Sequence, residues 1–426
     1  MTPNLVRREE IPGARRVGRN TLETLLFRGL STPVALVLVV IQGRFLEPDG
    51  RGSFVLVVLS VTIFARLLGQ LGVAVTSRAH AEPLRPLMQR ALALAVLLGV
   101  GGGALIVIGC ALVEAIGLRL ALVAAPALIP NVVSACISGA LLGHARIRVW
   151  NYIQALPPLL TLVGMLIAVV WLGGDVDAAI AVWTLAYFVT AAFALVAARD
   201  LWLPFALPNV LDRRGRAILT LALVMGAVQI VNLVGYRVEL FVLDHYEGLS
   251  AVGIYSIAMQ AAEAMWLVPA AVATAVTGPA VHERVDRAAV LIRDACARGL
   301  LYTVLIALAV GSLAPFVVPF LFGDDFRGAV RPLALLLPGV VAYAPVSILV
   351  VYLSVRRGRP KLSLLVSGVG LLVTAAMSFV LIPPYGAAGA AVASAIGYAA
   401  GGVAAWISFV RLAGLTLFGR TRRRAA

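Results

Sequence analysis

The chain has 426 residues, of which 61% are hydrophobic and 13% charged, and its mean hydropathy is +0.99. A soluble domain needs about 25% charged residues to dress its surface, so the composition excludes a soluble globular protein and leaves a polytopic membrane protein. A net charge of +15 does not mark a nucleic-acid binder, because the arginines sit in short loops between apolar spans, where they set topology.

Residues 1–22 form a polar tail carrying Arg7, Arg8, Arg15, Arg16 and Arg19. Apolar stretches of about 20 residues, the length of a membrane-spanning helix, follow near 23–45, 53–75, 91–113, 120–142, 150–172 and 178–198. After a connector over 199–216 they resume near 217–240, 250–276, 299–322, 331–354, 362–382 and 387–411. This predicts an all-α fold of twelve transmembrane helices in two six-helix lobes, 23–198 and 217–411, closed by a basic tail over 412–426. The first span is too long for a signal-peptide core and carries Arg28, so it reads as a retained helix. Arginines crowd into the tails and alternate loops on one side, which predicts that both termini are cytoplasmic. Within the second half, His282 to Arg298 reads as an amphipathic helix on the inner membrane surface, with Val285, Ala289, Ile292 and Cys296 on one face. Cys110, Cys136 and Cys296 have no metal-ligand spacing and imply no disulfide framework.

The two halves resemble each other. Gly52-Ser53-Phe54 opens the second span, and Gly253-Ile254-Tyr255 opens the eighth, 201 residues later. LLGHARIR (141–148) matches YLSVRRGR (352–359), and LGGDVDAA (172–179) matches IPPYGAAG (382–389). Three likenesses in the same order imply a duplicated six-helix unit, and transporters built from such repeats hold their substrate between them.

Several arginines interrupt the apolar spans. A guanidinium in hydrocarbon costs at least ~2.5–3.5 kcal/mol, so it normally faces a polar interior. At ~1.5 Å per residue, Arg28 lies roughly 8 Å from the inner end of the first helix. Arg66 and Glu263 lie roughly 20 Å from the outer ends of theirs, so all three fall near one level. Polar residues recur at helical spacing: Ser256, Gln260 and Glu263 on the eighth span, and Gln229, Asn232 and Tyr236 on the seventh. The functional reading is a cationic lumen in which Arg28, Arg66, Arg237, Gln260, Gln229 and Asn232 bind an anionic ligand such as pyrophosphate. Glu263 and Glu239 would then serve as ion-coupling or counter-ion residues, taking a proton or sodium ion. The structural alternative has Glu263 pairing with one arginine to hold the halves together, with Arg28 and Arg237 reaching for opposite membrane surfaces. No Walker loop, HExxH or GxSxG is present. Asp175-Val-Asp177 has the DxD form of a metal-dependent glycosyltransferase, but the outer loops are too short to build such a site, so the chain reads as a non-enzyme.

RFLEPDGRGSF (44–54) is similar to the R-x-L-G-P-x-G-x-G-x-Y signature that follows the first helix of polysaccharide flippases. GIYSIAMQAAEAMWLVPAAV (253–272), LFGDDFRGAVRPLALLLPG (321–339) and LIPPYGAAGAAVAS (381–394) resemble the same family. These are the Wzx-type flippases of the multidrug/oligosaccharidyl-lipid/polysaccharide (MOP) exporter superfamily, and the resemblance spans essentially the whole chain. It implies a V-shaped, two-lobed, MATE-like protein of the bacterial cytoplasmic membrane. Such a protein moves an undecaprenyl-pyrophosphate-linked oligosaccharide between leaflets through an arginine-lined cavity. It works beside glycosyltransferases and a polymerase of one pathway. A cation-coupled drug exporter of the same superfamily is the alternative. Glu47 departs from the signature, which often has glycine there.

Overall fold

The computed structural model describes residues 14–79, 82–113, 117–144, 146–210, 212–235 and 237–414; the side chains of 14–32 and of scattered later positions lie outside that description. Among the described residues the regular structure is helical. In order the helices are α1 (Ala14–Leu68), α2 (Leu71–Arg78), α3 (Leu84–Val113), α4 (Leu118–Ala124), α5 (Leu128–Gly143), α6 (Ile147–Met165) and α7 (Val176–Ala197). A short α8 (Arg199–Trp202) opens the connector. The second half holds α9 (Arg213–Gly235), α10 (Val238–Ala264), α11 (Leu267–His282), α12 (Val285–Phe322), α13 (Val330–Val350) and α14 (Pro360–Ala413).

Among the described residues ten helical stretches are long and apolar enough to cross a membrane, and the protein is a multi-pass membrane protein. Two of those stretches run 46 and 53 residues, far beyond the ~20 that a bilayer requires. Each folds back on itself. In α1 the reversal falls at Glu47 (φ 57°, ψ 170°). A guanidinium nitrogen of Arg51 reaches the carbonyl of Val39 at 3.2 Å, whereas twelve residues of unbroken helix would separate them by ~18 Å. In α14 the reversal falls at Gly386 (φ 53°), and a Cβ on Gly397 would lie 1.9 Å from the Thr374 hydroxyl. A third hairpin turns at Gly248 inside α10, where the Tyr255 hydroxyl approaches Glu239 at 3.5 Å.

The repeat is visible in these turns. Glu47 and Gly248 stand 201 residues apart and share one backbone conformation, Gly248 having φ 79° and ψ −176°. That region is open essentially to glycine alone. Five residues on, the two repeats touch reciprocally. A Cβ on Gly52 would meet the Leu249 carbonyl at 1.9 Å, and one on Gly253 would meet the Pro48 carbonyl at 1.9 Å. Such an i-to-j, j-to-i contact is the mark of a two-fold relation, here between two halves of one chain.

Around this crossing the two halves are bound tightly. Arg44 donates to the carbonyls of Leu321 (2.8 Å) and Phe320, capping the carboxyl end of α12, where a cation complements the helix dipole. The opposite end of the molecule carries the connector. There Asp212 caps α9 by accepting the Gly215 amide at 2.6 Å and pairs with Arg90 of α3, and Arg146 clasps Asp200.

The segment 282–298 differs from its expected form. It is no separate surface helix; from Val285 it runs unbroken into α12, a 38-residue rod. Ala289, Ile292 and Cys296 share a buried face as predicted, but they pack against Ile348, Leu349 and Tyr352 rather than against lipid. No proline falls between 285 and 315, so nothing stops the helix at the membrane surface.

Glu47→Gly is expected to raise stability by about 1–3 kcal/mol, the cost of holding a side chain in a glycine-only conformation. A thermal melt of the detergent-purified protein reads this directly; an unchanged or lower midpoint contradicts the strain.

Candidate substrate cavity

Both halves interrupt their second spanning helix. In the first half the break lies at Gly69–Gln70, between α1 and α2; in the second it lies at Met265–Trp266, between α10 and α11. The second break has a clear cause: Pro269 cannot donate to the Met265 carbonyl four residues back, and its ring crowds that carbonyl. Interrupted helices at matching places in two repeats are a strong pointer to a transport site. Arg66 occupies the last turn before the first break and Glu263 the last turn before the second.

Their surroundings differ. Glu263 is held by Arg237 in a two-pronged ion pair, 2.5 and 2.8 Å, with side chains 18% and 22% exposed. Arg237 also contacts the Met259 sulfur at 3.3 Å. Glu239, fully buried, lies two residues beyond Arg237. Tyr255 lies within 3.5 Å of Glu239 and 3.3 Å of Ser394. The Oε2 atom of Glu239 has no hydrogen-bond partner among the described residues. Tyr398, Trp266 and Tyr343 stack nearby, with ring centres 5.2–5.8 Å apart. The second half thus contains a closed polar knot of two carboxylates and one guanidinium. The ion pair joins α10 to the residue preceding it, so it binds the second half to itself rather than the two halves to each other.

Arg66, by contrast, is exposed, and among the described residues it forms no ion pair. It lies within electrostatic reach of Tyr187. The adjacent Leu67 carbonyl is closely approached by Gly226 of α9: a Cβ there would lie 2.4 Å from it. Only glycine allows that approach, and it brings the second half beside Arg66. Gln229, half-buried, lies one turn further along α9. The side chains of Arg28 and Asn232 lie outside the described residues; Arg28 is on the helical stretch of α1. Gln260 is engaged elsewhere, accepting from Arg51 at 3.3 Å.

Arg51 was missed in the sequence because it stands in a turn signature. The repeat contains the missing signal: 201 residues on, its counterpart is Val252, a fully buried apolar position.

A family model described as "Polysaccharide biosynthesis protein" matches residues 17–283. The chain belongs to that family. No curated protein sequence matches this chain, but solved structures share its fold. A structure described as "Lipid II flippase MurJ, inward closed conformation" superposes with a TM-score of 0.78 at 12% identity, covering 91% of this chain and 87% of that one. An inward-facing multidrug-resistance MATE transporter of the MOP superfamily gives 0.71 at 16% identity, covering 90% and 94%. An outward-facing MATE transporter gives 0.60 at 18% identity, covering 93% and 95%. The chain shares its fold with these transporters.

Glu263→Gln is expected to destabilise the protein by about 3–5 kcal/mol, because it leaves Arg237 as an uncompensated, largely buried charge. Replacing both partners (Arg237→Met with Glu263→Leu) is expected to recover most of that loss. A melting series on the wild type, both single variants and the pair reads the coupling; additive losses would contradict it.

Proposed function

We propose that this protein is a flippase that moves an undecaprenyl-pyrophosphate-linked oligosaccharide repeat unit across the bacterial cytoplasmic membrane by alternating access. The carrying observation is the contrast among its intramembrane arginines. Arg237 is neutralised by Glu263, Arg44 caps a helix and Arg51 is enclosed by neutral acceptors. Arg66 alone among these four is exposed at a helix break without a carboxylate. A fixed guanidinium in that setting attracts an anion that can be released again, and a diphosphate fits its planar fork of donors. Family membership supplies the polysaccharide context.

On this reading Arg66 holds the pyrophosphate, and Arg28, one helix away, assists. Gln229 and Asn232 contribute sugar contacts from the second lobe. Residues 23–198 and 217–411 act as the moving lobes, with 199–216 as a cytoplasmic tether and both tails in the cytoplasm. Glu239 and Glu263 carry the coupling ion, a proton or sodium, with Arg237 setting their combined charge. The seam at the Glu47 end is then the outer gate, and it is shut. The superposition scores are higher with the inward closed and inward-facing structures than with the outward-facing one, in keeping with that state. Partners are the lipid-linked substrate, membrane lipids, and the polymerase and glycosyltransferases that use the same carrier.

Arg66→Ala is expected to cut translocation at least tenfold, the loss of one or two hydrogen bonds to a charged group, with protein level and melting temperature unchanged. Proteoliposomes loaded with a fluorescent lipid-linked oligosaccharide measure it. Wild-type rates in the variant would overturn the assignment.

A further inference from the structure

Arg51 is fully buried and sits at the seam between the two halves. Its Nε donates to the Ser256 hydroxyl at 2.9 Å, and one terminal nitrogen donates to the Val39 carbonyl and the Gln42 side chain, both at 3.2 Å. The other terminal nitrogen donates to Gln260 at 3.3 Å. Val39 and Gln42 belong to its own half, while Ser256 and Gln260 belong to the other. Every one of these acceptors is neutral. One residue along, Gly52 and Gly253 press their backbones together, so no water-sized gap separates the halves at this level.

A guanidinium in that place carries a large desolvation cost, offset only by hydrogen bonds to uncharged groups. If the halves part here, Ser256 and Gln260 withdraw and water takes their place, restoring the hydration that closure removed. Ser256 keeps a bond of its own, donating to the Gly253 carbonyl at 2.7 Å, and so is left satisfied. We propose that Arg51 is the polar switch of this seam: cross-half hydrogen bonds answer its charge when the seam is shut, and water answers it when the seam is open. A wholly apolar seam would be stable only when shut. One buried charge with neutral partners keeps the two states close in free energy. The duplication makes the device one-sided, because the equivalent position in the second half is Val252, also fully buried.

This inference rests on the reading that the halves separate, but its test needs no substrate. Spin labels at Asp49→Cys and His245→Cys, both exposed and on opposite sides of the seam, report the gap by double electron–electron resonance. The measurement uses the full chain in lipid nanodiscs, with Cys110, Cys136 and Cys296 replaced. Gln260→Leu, and more strongly Gln260→Leu with Ser256→Ala, leaves the guanidinium short of acceptors when shut. The long-distance population should rise roughly tenfold or more. Arg51→Met removes the desolvation cost and should hold the distribution at the short distance. Opposite responses to loss of the acceptors and loss of the charge are what a merely structural arginine would not give. An unchanged distribution in a folded Gln260→Leu protein, or opening in Arg51→Met, would overturn the proposal. If the Arg66→Ala prediction fails while these shifts occur, the seam switch stands and the substrate assignment does not.

Discussion

A guanidinium inside a membrane protein must be answered by a carboxylate, by neutral acceptors or by water, since hydrocarbon offers nothing. The described arginines within the spans divide among those answers. Arg237 takes the first with Glu263; Arg51 and Arg44 take the second, from side chains and carbonyls; Arg66 is left to the third. The rest of the architecture follows from that division. The neutralised charge stabilises the second half, the enclosed one joins the halves, and the open one stands exposed without a carboxylate.

Much of the fold was legible in the chain. Hydropathy placed the spans, and the turn residues placed the hairpins, because a membrane-length apolar stretch has few ways to fold. The duplication was legible as well. Gly52 and Gly253 were paired by the likeness of the triplets they open, and in the structure they meet backbone to backbone. Glu47 was legible only as a departure from a motif. The structure gives its reason, a positive φ shared with Gly248, where glycine carries no steric penalty.

The site was less legible, for a physical reason. Helical periodicity tells which residues share a face of one helix, but not which face of another helix they meet. Arg66 and Glu263 were expected at one depth, and in the structure each stands in the last turn before a helix break. Depth could not show that Glu263 is already engaged by Arg237, 26 residues earlier across a hairpin. Gln260, counted with the cavity, serves Arg51 instead. The 282–298 segment failed in a similar way: its apolar face was right, but whether lipid or protein covers such a face is decided by tertiary packing.

Duplication followed by divergence explains why the polar groups are unequal in the two halves. The backbone symmetry survives where close approach demands it, at Gly52 and Gly253, because any side chain there would push the helices apart. Side chains that face the seam have no such constraint. Offset by 201 residues, Arg51 corresponds to Val252, Arg66 to Leu267 and Glu263 to Thr62. The first half therefore holds Arg51 and Arg66, while the second holds Arg237 together with the acid that balances it. A symmetric protein would place like charges opposite each other across the axis, where they repel when the halves close. Breaking the symmetry in side chains while keeping it in backbone lets one half carry the positive charge and the other close over it without that repulsion.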